Sequence, residues 1–181
     1  MAHWEITESS ECIYRGKILN LHRDLVRLEN GKTTAREVVE HHGGVAVLAL
    51  DDQENVFFVR QFRYPFRAVL QELPAGKLEL GEDPETCGRR ELEEECGYRA
   101  EEFLPLGKLY PTCAYDTEVI HLFLARKLQP ARQHLDENEF LTVEKLPLEQ
   151  AMELVLSGQL PDAKTQLALL KYQALRQQGR L

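Results

Sequence analysis

The chain has 181 residues, 43% of them apolar and 29% charged, and a formal net charge of -8. That is enough for one domain with a sizeable core, and the apolar content excludes a disordered chain. The acid excess argues against a broad nucleic-acid surface, so an anionic substrate would need a metal ion and a few local arginines to be accepted.

The opening stretch, MAHWEITESSE, has neither a basic start nor an apolar segment, and no apolar run approaches the ~18 residues of a membrane span. A protein that neither crosses a membrane nor carries an export signal is expected. Cys12, Cys87, Cys96 and Cys113 form no C-x-x-C pair, so reduced thiols in a cytoplasmic protein are the simplest reading. From Trp4 to Leu28, β-branched, aromatic and leucine residues come in short runs, and Glu29-Asn30-Gly31-Lys32 supplies an Asn-Gly hairpin signal. Thr33 to Glu40 should return antiparallel. Such a ribbon is marginal in isolation and should pack on a partner.

Gly43-Gly44 precedes Val45 to Leu50, a continuous apolar run expected to be a doubly covered central strand. A turn at Asp51 to Asn55 leads to a strand over Val56 to Phe62, and the two strands are expected to form the core hairpin of the sheet. Arg60, Arg63 and Arg67 follow closely, and Arg63 is a candidate phosphate clamp because guanidinium groups pair bidentately with phosphate. Leu70 to Leu73 then enters the loop Pro74-Ala75-Gly76.

The next stretch, Gly76 to Tyr98, reads GKLELGEDPETCGRRELEEECGY. Asp83 suits an N-cap, Pro84 the first helical position and Gly97 the left-handed residue past the end, so a helix is predicted from about Pro84 to Cys96. On it Glu91, Glu94 and Glu95 share one arc, while Gly88, Leu92 and Cys96 share an adjacent packing arc. Acidic side chains in the last turn oppose the helix dipole, so stability alone would not select them. A hard cation would neutralise them, since Mg²⁺ is usually held by one or two carboxylates plus substrate phosphates.

Beyond the helix, strands are predicted at Phe103 to Tyr110 and Glu118 to Ala125, separated by Pro111 to Thr117. An acidic loop from Gln129 to Phe140 carries Glu137 and Glu139, either of which could reach a metal cluster from a mobile loop. Two helices close the chain, Leu148 to Ser157 and Asp162 to about Gln178, the latter with a stripe of Ala163, Leu167, Leu170 and Ala174. One domain is expected to use residues 1–181, with 1–42 as N-terminal strands and 43–181 as the core.

The spacing from Gly76 to Tyr98 resembles, position for position, the box of the Nudix hydrolase family: Gly, five residues, Glu, seven, Arg-Glu, apolar, one, Glu-Glu, one, Gly, apolar. The flanking Arg36 to His41, Val59 to Tyr64, Leu73 to Glu79, the Asp-Glu-Asn-Glu loop and Asp162 to Thr165 are similar to the ADP-ribose pyrophosphatase branch over nearly the full length. The resemblance implies an α/β/α sandwich around a mixed sheet, and an N-terminal antiparallel hairpin exchanged in a homodimer. It implies Mg²⁺-dependent hydrolysis of ADP-ribose to AMP and ribose 5-phosphate, with Mn²⁺ as a second candidate ion. The metal ligands it implies are the Ala75 carbonyl, Glu91 and Glu95, with Glu94 as a further ligand or support. Arg90 would hold the glutamates, Glu82 would support the loop, and Glu139 or Glu137 would be the general base. Adenine-side contacts would come from Arg36 or Glu37 of a partner chain, and the arginine cluster read above adds Arg63 and Arg60 as candidate substrate contacts. Cys113 departs from the pattern, because the branch usually has a proline at that position; another nucleoside diphosphate derivative, a nucleotide sugar or a dinucleotide, is the alternative substrate. A silent nucleotide-sensing module is the alternative from outside enzymology.

Overall fold

The computed structural model describes residues 3–181 and resolves into two compact units. One is the chain up to Gly43 together with Tyr110–Val119; the other comprises Gly44–Leu109 and Ile120–Leu181.

The first unit is built on an antiparallel meander of β1 (Glu5–Arg15), β2 (Leu19–Leu28) and β3 (Thr33–His41). Gly31, with φ of 80°, closes the β2–β3 turn, where the Asn30 side chain accepts from the Lys32 amide at 3.0 Å. The expected hairpin is therefore present, extended by β1. Val26 is the one apolar side chain of these strands that is fully buried, whereas Ile6, Ile13, Tyr14 and Leu25 are exposed. The segment 110–119 lies along β3: the Val39 amide donates to the Tyr115 carbonyl at 2.7 Å, and the Thr117 amide donates to the Val39 carbonyl at 2.9 Å.

The second unit holds β4 (Gly44–Ala49), β5 (Asn55–Arg63), β6 (Ala68–Glu72), β7 (Ala75–Lys77), α1 (Pro84–Cys96), β8 (Tyr98–Leu109), β9 (Ile120–Pro130), β10 (Leu141–Pro147), α2 (Leu148–Leu156) and α3 (Ala163–Gln177). A mixed four-stranded sheet runs β7-β4-β9-β8, with β4 and β9 parallel, and an antiparallel sheet runs β10-β5-β6. Because side chains alternate along a strand, β4 feeds two cores. Ala46 and Leu48 pack with residues of α2 and α3, while Val45 and Val47 pack with Cys87 and Leu92 of α1. Helices thus cover opposite faces, giving the α/β/α arrangement. No helix among the described residues is long and apolar enough to cross a membrane.

Two expectations are corrected. β4 and β5 are not a core hairpin of one sheet: β4 already has β7 and β9 along its two edges, so β5 pairs with β10 and β6 instead. Glu54, with φ of 58°, and the Asp51 carboxylate, which accepts from the Gln53 and Asn55 amides, form the turn that redirects the chain. On α3 the buried face is Lys164, Thr165, Ala168, Leu169 and Tyr172, not Ala163, Leu167, Leu170 and Ala174. The polar pair sets this rotation, with Thr165 Oγ1 accepting from the Leu73 amide at 2.9 Å and Lys164 paired with buried Glu72.

Candidate active site

The helix α1 forms where its local signals place it. Asp83 accepts from the Thr86 amide at 3.0 Å, Pro84 occupies the first turn, and Gly97 caps the end with φ of 70°. Its packing face is tight: a Cβ at Gly88 would lie 2.9 Å from the Phe103 ring. That tightness fixes the rotation of the helix and draws Glu91 and Glu95, one turn apart, into the interior at 9% and 2% exposure.

Each buried carboxylate is met by the loop that precedes the helix in sequence. Glu95 Oε2 accepts from the Ala75 amide at 2.8 Å. Glu91 lies against Gly76, where a Cβ would overlap its carboxylate. The same loop is tied to β4 through the Val47 amide, which donates to the Pro74 carbonyl at 2.9 Å.

One guanidinium organises the remaining acids. Arg90 donates from Nε and Nη2 to Glu82 at 3.0 and 3.1 Å, and from Nη1 to Glu91 and Glu94 at 2.9 and 2.8 Å. The hydrogen bonds from Arg90 hold the Glu82 carboxyl down to about 2. The deeper pair behaves oppositely. Burial pushes Glu91 up to about 7 despite Arg90, with the charges of Glu94 and Glu139 adding to the rise. Burial likewise pushes Glu95 up to about 8, with Glu91 and Glu139 contributing. Two sequestered carboxylates are therefore held above the ordinary carboxylate range, chiefly because burial disfavours their charged forms.

The acidic loop meets the far end of α1. The Ala131 amide donates to the Gly97 carbonyl at 2.8 Å and the His134 amide to the Glu94 carbonyl at 3.1 Å. Glu139 sits close enough to raise both Glu91 and Glu95, and its Oε1 lies 3.4 Å from Gln61 Nε2. Glu137 is exposed.

Arg63 uses Nε and Nη2 on Glu72, at 2.6 and 2.8 Å, leaving Nη1 with no hydrogen-bond partner among the described residues. Glu72 is 2% exposed; burial would raise it, but Arg63 and Lys164 outweigh that and hold it at about 2. Lys164 also binds Asp162 at 2.9 Å. Arg60 is at the surface, 3.4 Å from Glu144. Arg36 and Glu37 lie on β3 of the first unit, Arg36 paired with Glu5 at 2.6 Å and Glu37 exposed. Among the sequence-derived candidates, the structure thus brings together Ala75, Arg90, Glu91, Glu94, Glu95 and Glu139. Sequence reasoning assigned no role to Glu72, Lys164 or Thr165; the run Asp162 to Thr165 was the available signal, since it places a cation and a hydroxyl beside an N-cap.

Comparison with known proteins places the whole chain. The NUDIX domain model matches residues 40–169, and the nucleoside diphosphate sugar hydrolase N-terminal domain model matches residues 5–39. The chain is 43% identical to an ADP-ribose pyrophosphatase of Bacillus subtilis (strain 168), covering 91% of this chain and 90% of the relative. It is 38% identical to a methanol dehydrogenase activator of Bacillus methanolicus over the same shares, 91% and 90%. A GDP-mannose pyrophosphatase of Salmonella typhimurium (strain LT2) is 35% identical, over 83% of this chain and 84% of its own. In fold, a crystal structure of an ADP compounds hydrolase aligns with a TM-score of 0.85 over 98% of this chain and 97% of its own, at 22% identity. With the box helix formed and a domain model spanning most of its length, the chain belongs to the Nudix family.

Proposed function

We propose that this protein hydrolyses the pyrophosphate bond of ADP-ribose, giving AMP and ribose 5-phosphate. The observation that carries the reading is the pair of buried carboxylates, Glu91 and Glu95, set one turn apart on α1 and backed by Arg90 and the Ala75 amide. The relatives named ADP-ribose pyrophosphatase from Bacillus subtilis and Mycobacterium tuberculosis, 43% and 38% identical, support the substrate.

The donor set fits a hard divalent ion, Mg²⁺ or Mn²⁺: two carboxylates, Glu91 and Glu95, and the Ala75 carbonyl, with Glu94 beside them. Among the described residues no group of three or more His, Cys, Asp or Glu side chains is arranged to hold a metal ion, so water and substrate phosphate would have to supply the rest of the shell. When bound, such an ion supplies positive charge to the diphosphate and acidifies water. Arg90 holds Glu91 and Glu94 in place through Nη1. Arg63, fixed on Glu72 by one edge, offers Nη1 to a phosphate oxygen. Glu139 takes the proton of the attacking water, a role its electrostatic contact with both buried glutamates favours over Glu137. Arg60 is a weaker substrate contact because it is drawn to Glu144.

The exposed Ile6, Ile13, Tyr14 and Leu25 favour a homodimer with exchanged N-terminal strands, in which Arg36 and Glu37 of one copy serve the other's site. Removing residues 1–40 should then abolish activity, and an active, monomeric truncation would contradict the exchange. All four cysteines are free, two of them buried, in keeping with a reducing cytoplasmic compartment.

The test is product release from ADP-ribose, GDP-mannose, NADH and diadenosine polyphosphates with Mg²⁺, with Glu95→Gln as control. Preference for ADP-ribose, lost in the variant, is expected. Cys113, together with the GDP-mannose pyrophosphatase relatives at 35% identity, favours a nucleotide sugar as the second reading, and turnover of GDP-mannose alone would select it. Tight binding without turnover would mark a sensor.

A further inference from the structure

The last carbonyls of an α-helix have no partner within the helix and must be satisfied from outside. In α1 the acidic loop does this. Gln133 Nε2 donates to the Glu95 carbonyl at 2.6 Å, between the backbone bonds from Ala131 to Gly97 and from His134 to Glu94. The approach depends on Gly97, because a Cβ there would lie 3.1 Å from the Gln133 amide nitrogen. Gln133 is thus the side chain through which the loop grips the helix that carries Glu91 and Glu95. Past this anchor the chain makes one turn, closed by the Glu139 amide on the Asp136 carbonyl at 2.9 Å, before β10 begins at Leu141.

From this geometry we infer that Gln133 is a positioning residue for hydrolysis: by latching residues 131–134 onto the C-terminal end of α1, it sets where Glu139 stands relative to Glu91 and Glu95. The inference rests on the hydrolase reading and adds to it a side chain that touches neither substrate nor ion. A base displaced by about 1 Å loses on the order of 100-fold in rate, while ground-state binding through Arg63 need not change.

The test compares wild type with Gln133→Met, which keeps the length and loses the donor, and Gln133→Lys, which restores a donor. The readouts are kcat and KM for ADP-ribose, the melting temperature, and amide hydrogen exchange across residues 131–140. In Gln133→Met, exchange should rise in that segment and kcat should fall about 10- to 100-fold, with KM and melting temperature unchanged and kcat recovered in Gln133→Lys. Faster exchange with undiminished kcat would overturn the inference, as would unaltered exchange, or a loss spread over kcat, KM and melting temperature together. If wild type turns over nothing, the hydrolase reading fails, and the exchange data alone still decide whether Gln133 holds the loop.

Discussion

Gly76 and Glu91 fit together so closely that a single added carbon at position 76 would overlap the Glu91 carboxylate. The glycine is the wall against which that side chain rests. Gly76→Ala should therefore displace Glu91 or lift the loop away from β4. Overpacking of this kind costs about 1 to 3 kcal/mol, and turnover should fall much further than stability does. Thermal unfolding and steady-state turnover of the variant check this, and a fully active Gly76→Ala enzyme would contradict it.

Glu139 and Glu137 sit two positions apart but differ in what they feel. Glu139 is among the leading charges that raise both Glu91 and Glu95, whereas Glu137 is exposed. Glu139→Gln should lower kcat by about 10²- to 10⁴-fold, whereas Glu137→Gln should leave it close to wild type. Full turnover in both variants would remove the loop from the chemistry.

Without metal, the buried acids should make the protein weaker as the pH rises. Glu91 and Glu95 are raised from the ordinary 4.5 to about 7 and about 8, so the folded state keeps protons that the unfolded chain has released. Folding then loses stability as the pH climbs from 4.5 through about 8, the reverse of the usual carboxylate pattern. Chelator-treated protein should melt at a lower temperature near pH 8 than near pH 5, and added Mg²⁺ should close the gap by binding the folded state. A flat melting profile would count against the raised pKa of the pair.

The network around Glu72 has the opposite sign. Its pKa is depressed to about 2, so the stability it contributes is complete above 4.5 and is lost as the pH falls toward 2. Lys164→Met leaves the buried Glu72 with Arg63 alone, so the loss should stay below the about 3 to 5 kcal/mol of a buried charge left with no partner. The variant should unfold at lower denaturant concentration and begin its acid transition at higher pH. Urea unfolding across the acid range measures both.

How much of this was legible in the sequence follows the range of the interactions involved. The ends of α1 are encoded by Asp83, Pro84 and Gly97 within one or two turns of where they act, and the structure reproduces them to the residue. The Asn30-Gly31 turn is equally local. The partition of β4 and β5 between sheets was not legible, because β4's edges are occupied by β7 and β9, strands far along the chain. The rotation of α3 was missed for a related reason: a lysine reads as a surface residue until its partner, Glu72, is found 92 positions earlier. Gln133 left no signal at all, since its acceptor is a backbone carbonyl that every residue possesses.

The ladder that Val39 forms with Tyr115 and Thr117 sets a rule for anyone recombining this protein with its relatives. Its N-terminal module is encoded in two separate pieces, so a crossover placed after Gly43 would join β3 from one parent to a 110–119 segment from the other. Grafts that carry both pieces preserve the pairing. A single-junction chimera instead asks two independently drifted backbones to find the same register.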